Sequence, residues 1–360
     1  MKELKKLMYL FIVVLAALTM SCTKEGPAGA DGEDGENGMD GSNGTAGCVQ
    51  CHVNNENLVL KGAMWEHSGH AEGTSWARGT SSSCAQCHSS QGFQEYVLTG
   101  AVESAPTMPL PANCYTCHQI HETYTSEDWT LRNHTGVDFI QGGLNYEANN
   151  ANANTCITCH QSRPVDTIDP SSSDLYTITS YRFGPHHGPQ GNMIAGAGMS
   201  GAVELGSNTY VNSTHATSSD CITCHMAKGD FEIGGHTNHV STGEWGDDKV
   251  VNSAGCVACH EDMTSDALMT DYVESARNSN MVLLEELHDK LFELKYIDAS
   301  GYVLGNDGVN RASSSNPLTV SHEIAGAIYN YKFVEEDLSM MIHNPKYARM
   351  LVNESLAVLQ

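Results

Sequence analysis

Basic residues are few in this sequence of 360 residues: 18 Lys and Arg stand against 43 Asp and Glu, a formal net charge of -25. That balance argues against nucleic acid or an anionic membrane face as a partner and suits a basic or metal-bearing one. Aromatic residues make up only 7%, a thin supply for an interior built from side chains alone. Long apolar runs are missing too. The one that stands out, residues 7–18, is too short for a transmembrane span. No cysteine lies outside a recognisable pattern, so none is left over for an ordinary disulfide framework.

What is present begins with an export signal. Lys2, Lys5 and Lys6 precede the apolar run, so residues 1–21 read as a signal peptide. The stretch Leu18-Thr19-Met20-Ser21-Cys22 resembles a bacterial lipobox with its aliphatic residue one place early, which makes Cys22 the candidate lipidation site. An uncleaved anchor and a plain signal are the alternatives, and all three place the rest of the chain outside the cytoplasm. Glycine then recurs at every third position from Gly26 to Gly47 in a collagen-like register. Only Pro27 accompanies it, among many Asp, Glu and Asn. Residues 22–47 therefore read as an acidic tether more readily than as a trimerising triple helix.

Twelve of the 13 cysteines fall in six copies of Cys-x-x-Cys-His. These are Cys48, Cys51 and His52; Cys84, Cys87 and His88; Cys114, Cys117 and His118; Cys156, Cys159 and His160; Cys221, Cys224 and His225; and Cys256, Cys259 and His260. Random placement of these residue types gives roughly 0.02 such pentapeptides in the chain. The spacing puts two thiols on one side of a turn, where they can add across the vinyl groups of a haem while the adjacent histidine ligates the iron from the proximal side. Structural zinc is the competing reading, but its paired Cys-x-x-Cys units lie about 15–20 residues apart; every gap here is longer and a histidine follows each pair. The cofactor expectation is six haem c, with flat apolar macrocycles supplying the interior that the aromatic residues do not.

The sixth coordination position of each iron decides between carrying electrons and doing chemistry. Twelve further histidines are available: His67, His70, His121, His134, His186, His187, His215, His236, His239, His288, His322 and His343. Local context ranks His70, His121, His187, His215, His236 and His343 as distal candidates, and His288 and His322 as the weakest. Two axial histidines give a low-spin iron suited to electron transfer.

From Cys156-Ile-Thr-Cys-His160 through His186-His187-Gly-Pro-Gln190, His215, Cys221-Ile-Thr-Cys-His225-Met226, Gly235-His236 and Cys256-Val-Ala-Cys-His260 to Ile342-His343-Asn344-Pro345, the chain resembles the multihaem cytochrome c superfamily that includes the pentahaem ammonia-forming nitrite reductase. The resemblance covers more than half of the mature chain. It implies distal roles for His215 and His343. That reductase carries its catalytic haem on Cys-x-x-Cys-Lys, which is absent here, and has a tyrosine where Gln161-Ser162-Arg163 follows His160. Arg78, His186 and His187 are the candidates for a retained catalytic cluster. The same motifs also resemble extracellular multihaem cytochromes, including filament-forming ones, in which every haem is bis-histidine.

The expected fold class is mainly α with extensive loops: a haem-cored multihaem cytochrome ending in a C-terminal helical bundle. Residues 48–265 form the hexahaem region, with short helices carrying the motifs. Residues 266–360 form a helical region that contributes a haem ligand. Within it Leu284, Leu287, Leu291 and Leu294 have helical spacing over residues 281–297, residues 320–342 offer a second helix, and Asn344-Pro345 opens a third that runs to Val358. The favoured function is an electron-transfer lipoprotein at the outer membrane or cell surface, with other redox proteins or an extracellular acceptor as partners. The glycine repeat and the terminal helices leave a homo-oligomer or filament open. The alternative is a reductase of nitrite, hydroxylamine or sulfite with one open haem.

Overall fold

Every Cys-x-x-Cys-His of the described chain sits on a short helix or turn, three of them started by a polar side chain, and these pieces are strung between loops. The computed structural model describes residues 55–360. The signal peptide, Cys22, the glycine-repeat tether and the motif of Cys48, Cys51 and His52 lie outside the described residues. The helices are α1 (Asn55–Glu66), α2 (Gly69–Glu72), α3 (Ser82–His88), α4 (Ser90–Thr99), α5 (Cys114–Cys117), α6 (Asn154–Ile157), α7 (Gln190–Ala195), α8 (Thr214–Ser218), α9 (Cys221–His225), α10 (Asp266–Glu293), α11 (His322–Glu336) and α12 (Pro345–Val358). Strands come only as antiparallel pairs: β1 (Val137–Asp138) with β2 (Asn145–Tyr146), β3 (Leu175–Ile178) with β6 (Leu318–Ser321), and β4 (Ser241–Thr242) with β5 (Val250–Val251). The fold is mainly helical with long loops.

Caps explain where the motif helices begin. The Asn113 side chain accepts the Tyr115 N–H while its own N–H donates to Thr116 Oγ1, a reciprocal box that starts α5 one residue before Cys114. Asp220 accepts from both the N–H and the hydroxyl of Thr223 and starts α9 one residue before Cys221. At the sixth motif Asn252 caps a single 3-10 turn, Ser253–Gly255, and Cys256 and Cys259 follow in turns. The expectation of a short helix under each motif therefore fails there. At the fourth motif α6 ends at Ile157, before Cys159.

The main apolar core gathers in the last hundred residues. Leu284, Leu287 and Leu291 of α10 meet Ile328, Tyr329 and Phe333 of α11 and Tyr347, Leu351 and Val352 of α12. The two-stranded sheet of β3 and β6 covers this bundle with Tyr176, Ile178, Leu318 and Val320, alternate residues on one face. The observed elements differ from the sequence expectation at both ends of α10 and at both ends of α11, which stops at Glu336, short of residue 342. α10 begins at Asp266, well before residue 281, capped by Ser265. It stops at Glu293, so Leu294 is the C-cap and is exposed. Residues 318–321 are strand, and the second helix starts only at His322, where the Ser321 hydroxyl accepts the Ile324 N–H. Asn344 does precede the third helix, but its side chain binds Met193 O, Asn212 Oδ1 and the Ser213 N–H instead of its own helix. It thereby ties α12 to the loops around α7 and α8.

One face of α11 is fitted to a chain segment that packs edge-on. A Cβ on Gly326 would come within 2.8 Å of Val203 Cγ1. One turn later the buried Asn330 accepts the Val203 N–H at 3.0 Å and donates to Val203 O at 2.8 Å. It thus supplies the pairing that a strand neighbour would otherwise give. Replacing Asn330 by Ala leaves both backbone groups buried and unpaired, and should lower stability by about 3 kcal/mol in urea unfolding, against under about 1 kcal/mol for Leu294→Ala on the exposed helix end. Equal losses would show that the Val203 pairing contributes nothing special.

Candidate histidine and cysteine site

Five motif histidines each face one histidine from a distant part of the chain. The ring centroids are 6.2 Å apart for His88 and His186, 6.3 Å for His118 and His236, 6.1 Å for His160 and His70, 6.3 Å for His225 and His343, and 6.0 Å for His260 and His215. The pairing is one to one. Two imidazoles bound to opposite faces of one iron, at about 2 Å per Fe–N bond, have centroids about 6 Å apart. The described residues therefore fit a haem at each of these five motifs.

Hydrogen bonds at the other ring nitrogen set the tautomer. His88 Nδ1 lies 3.0 Å from Ser75 O, His118 Nδ1 2.6 Å from Trp129 O, His225 Nδ1 2.8 Å from Asn238 O, and His215 Nδ1 2.7 Å from Ile342 O. A carbonyl oxygen only accepts, so Nδ1 carries the proton and Nε2 keeps the lone pair that a metal needs. His160 Nδ1 donates to Gln190 Oε1 at 3.1 Å, and His343 Nδ1 to Asp337 Oδ1 at 2.7 Å. Burial lowers both His70 and His186 to about 4, with neighbouring histidines adding to the effect in each and Arg163 also at His186. Burial likewise lowers His88, His118, His160, His225 and His236. Neutral imidazole, the ligating form, is thus the resting form of these rings. His343 differs: burial pulls it down, but the Asp337 carboxylate more than offsets this and holds it above the usual value.

Cysteines of different motifs lie side by side. Cys87 Sγ donates to Thr158 O and Cys159 Sγ to Gln86 O, at 3.9 and 3.7 Å, and the two thiols are themselves hydrogen-bonded. Cys221 is hydrogen-bonded to Cys156, Cys224 senses Cys256, and Cys159 senses Cys117. The second, fourth, fifth and sixth motifs therefore stand in file, with the third beside the fourth. Burial pushes Cys117 and Cys224 up to about 11, whereas the hydrogen bond with Cys159 lowers Cys87. All ten cysteines of the described motifs are free of disulfides.

Four of the six distal candidates, His70, His215, His236 and His343, face motif rings. His187 does not: its exposed ring donates Nδ1 to Glu336 Oε2 at 2.7 Å. The ring opposite His88 is that of its neighbour His186, whose backbone is in the left-handed region at φ 69. Pro185 before it is pinned by the Arg163 N–H on its carbonyl, and the enforced left-handed backbone turns one histidine inward and the next outward. No feature of composition separates the two. Arg78 and His187 do lie close enough to His88 to act on its charge, so the proposed catalytic cluster of Arg78, His186 and His187 is brought together, with His186 across from His88. His121, also left-handed at φ 63, stacks on Tyr124 and meets the Tyr115 hydroxyl through Nδ1. His322 accepts the Asp169 N–H and His288 packs on Phe292 and Tyr331. Gln190 and Asp337 were not singled out from sequence, although Gln190 closes the His-His-Gly-Pro-Gln run.

No protein-family model and no curated protein matches the sequence. Among solved structures, the outer cell wall cytochrome OcwA superposes with a TM-score of 0.50 at 19% identity, over 84% of this chain and 50% of its own. The undecahaem cytochrome from the S-layer of Carboxydothermus ferrireducens gives a TM-score of 0.45 at 17% identity, over 82% and 40%. The chain spans half the length of the first. Its fold, mainly helical and loop-rich with few short strands, resembles that of this outer cell wall cytochrome.

The loop of His121 is organised by one carboxylate. Asp128 accepts the N–H groups of His121, Thr123 and Tyr124 and the Thr123 hydroxyl. Asp128→Asn removes the charge from this cradle, and amide exchange at residues 121–124 should quicken about tenfold or more. Unchanged protection in hydrogen-exchange mass spectrometry would mean that the loop is held by other contacts.

Proposed function

We propose that this chain is an electron-transfer protein of the cell envelope, displayed at the cell surface, that holds six haem c groups. Cys84 and Cys87, Cys114 and Cys117, Cys156 and Cys159, Cys221 and Cys224, and Cys256 and Cys259 form the thioether bonds, as Cys48 and Cys51 do at the first motif. His52, His88, His118, His160, His225 and His260 are the proximal ligands. His186, His236, His70, His343 and His215 are the distal ligands of the second to sixth motifs, and His121 that of the first. When bound, each haem supplies a one-electron iron couple.

The observation that carries this reading is the one-to-one pairing of motif rings with distant rings at 6.0 to 6.3 Å. A second imidazole on each iron leaves no position for substrate, so the chain's own residues favour conduction over catalysis. The file of cysteines supports a continuous route, because motifs this close keep their cofactors close. His186 bears most on the reductase alternative, which needs an open iron at His88. Cell-surface placement rests on the export signal and on the outer cell wall cytochrome whose fold this chain shares. Lipidation at Cys22 would fix the redox region to the membrane, the acidic tether would hold it off, and the net charge of -25 would select a basic or metal-bearing partner.

The test joins a haem assay with spin state. The purified holoprotein should carry six haems, give only low-spin ferric signals in electron paramagnetic resonance, and fail to turn over nitrite, hydroxylamine or sulfite. His186→Ala should convert one haem to high spin, while His187→Ala should leave all of them low-spin. A high-spin signal with turnover in the unaltered protein would overturn the reading.

A further inference from the structure

The five facing pairs are not equivalent in what holds their rings. Six rings of these pairs donate through Nδ1: at four of them the acceptor is a neutral backbone carbonyl, and at His160 it is the neutral amide of Gln190. Only His343, across from His225, donates Nδ1 to a carboxylate, at 2.7 Å from Asp337 Oδ1. The Asp337 side chain is fully buried. Its other oxygen accepts from the Ser339 hydroxyl, which in turn accepts the His343 N–H at 3.2 Å.

The position of this carboxylate sharpens its effect. Asp337 is the C-cap of α11, the end at which the helix dipole disfavours negative charge. The cations of the neighbouring elements are engaged elsewhere: Lys332 pairs with Glu335, and Arg277 lies over Trp245 and donates to Ser339 O. Compensation for the buried charge must therefore come through the His343 ring and from whatever positive charge lies beyond it.

We propose that Asp337 is a positioning and tuning residue that lowers the reduction potential of the haem held by Cys221, Cys224 and His225. The inference rests on the bis-histidine reading given above. A ring that donates to a carboxylate is a stronger donor to iron than one that donates to a carbonyl, and a buried negative charge favours the more positive ferric state. The step is a transfer of one electron from a neighbouring haem to Fe(III), giving Fe(II), with the proton remaining on His343 Nδ1. Gln190 places a contrasting site next door: its amide oxygen accepts from His160 while its nitrogen donates to the carbonyls of Glu336 and Asp337, at 3.3 Å each. The fourth and fifth motifs, adjacent through Cys156 and Cys221, thus carry a neutral and a charged acceptor on either side of one short segment.

Two variants of the full holoprotein test the sign, read by potentiometric titration with paramagnetic resonance. Asp337→Asn should make one haem at least about tenfold easier to reduce, a rise of about 59 mV for one electron, leaving the others in place. Ser339→Ala, which strips a donor from the carboxylate and leaves more of its charge on His343, should move the same haem the opposite way. No shift in Asp337→Asn with all haems still low-spin would overturn the proposal, as would shifts of the same sign in both variants. A high-spin haem in Asp337→Asn would also overturn it, because Asp337 would then serve only to hold His343 in place. High-spin iron in the unaltered protein would sink the bis-histidine reading itself, a result separate from either variant.

Discussion

The interaction on which the rest of this structure depends is the facing of each described motif histidine by one remote histidine, at ring separations of 6.0 to 6.3 Å in all five pairs. The motif supplies only one side of each site. The other side comes from loops and helix ends far along the chain: the loop before α7, the segment before α12, the start of α8 and the turn at Gly235–Thr237. Much of what looks like irregular chain is therefore the means of bringing such rings into place, and the backbone accepts left-handed geometry at His186 to do so.

The helical bundle gives this arrangement a rigid edge. α10, α11 and α12 bury a continuous apolar core, and the segment between α11 and α12 presents Asp337 and His343 on one side of it. Asn280 of α10 donates to Met340 O and accepts from Arg349 of α12. Arg277, one turn earlier on α10, donates to Ser339 O. The segment that carries His343 is thus clamped from two helices, while the motif it faces sits on the one-turn helix α9.

The helical class and the third terminal helix are legible in the sequence, because each depends on local chemistry: apolar spacing, and Asn followed by proline. Four of the rings that face motif histidines are legible too, since Gly and Pro mark the loops that expose them. The choice of His186 over His187 was not legible, because two adjacent histidines have identical local context and only the φ of His186 separates them. The start of α11 was missed because Val320 fits an amphipathic helix as well as a strand, and its partner Tyr176 is remote in sequence. Asp337 could not have been singled out, since nothing near it distinguishes a carboxylate aimed at a ring from one facing water.

The separation between motif and partner ring has an evolutionary consequence. The motif and the ring that faces it are encoded in different parts of the gene, so on the bis-histidine reading proposed above the residues of attachment and the residue of closure would be free to change independently. On that reading a single substitution at His186 would open the position across from His88 without touching its motif, beside Arg78 and His187. A conducting site and an open one would then be one codon apart.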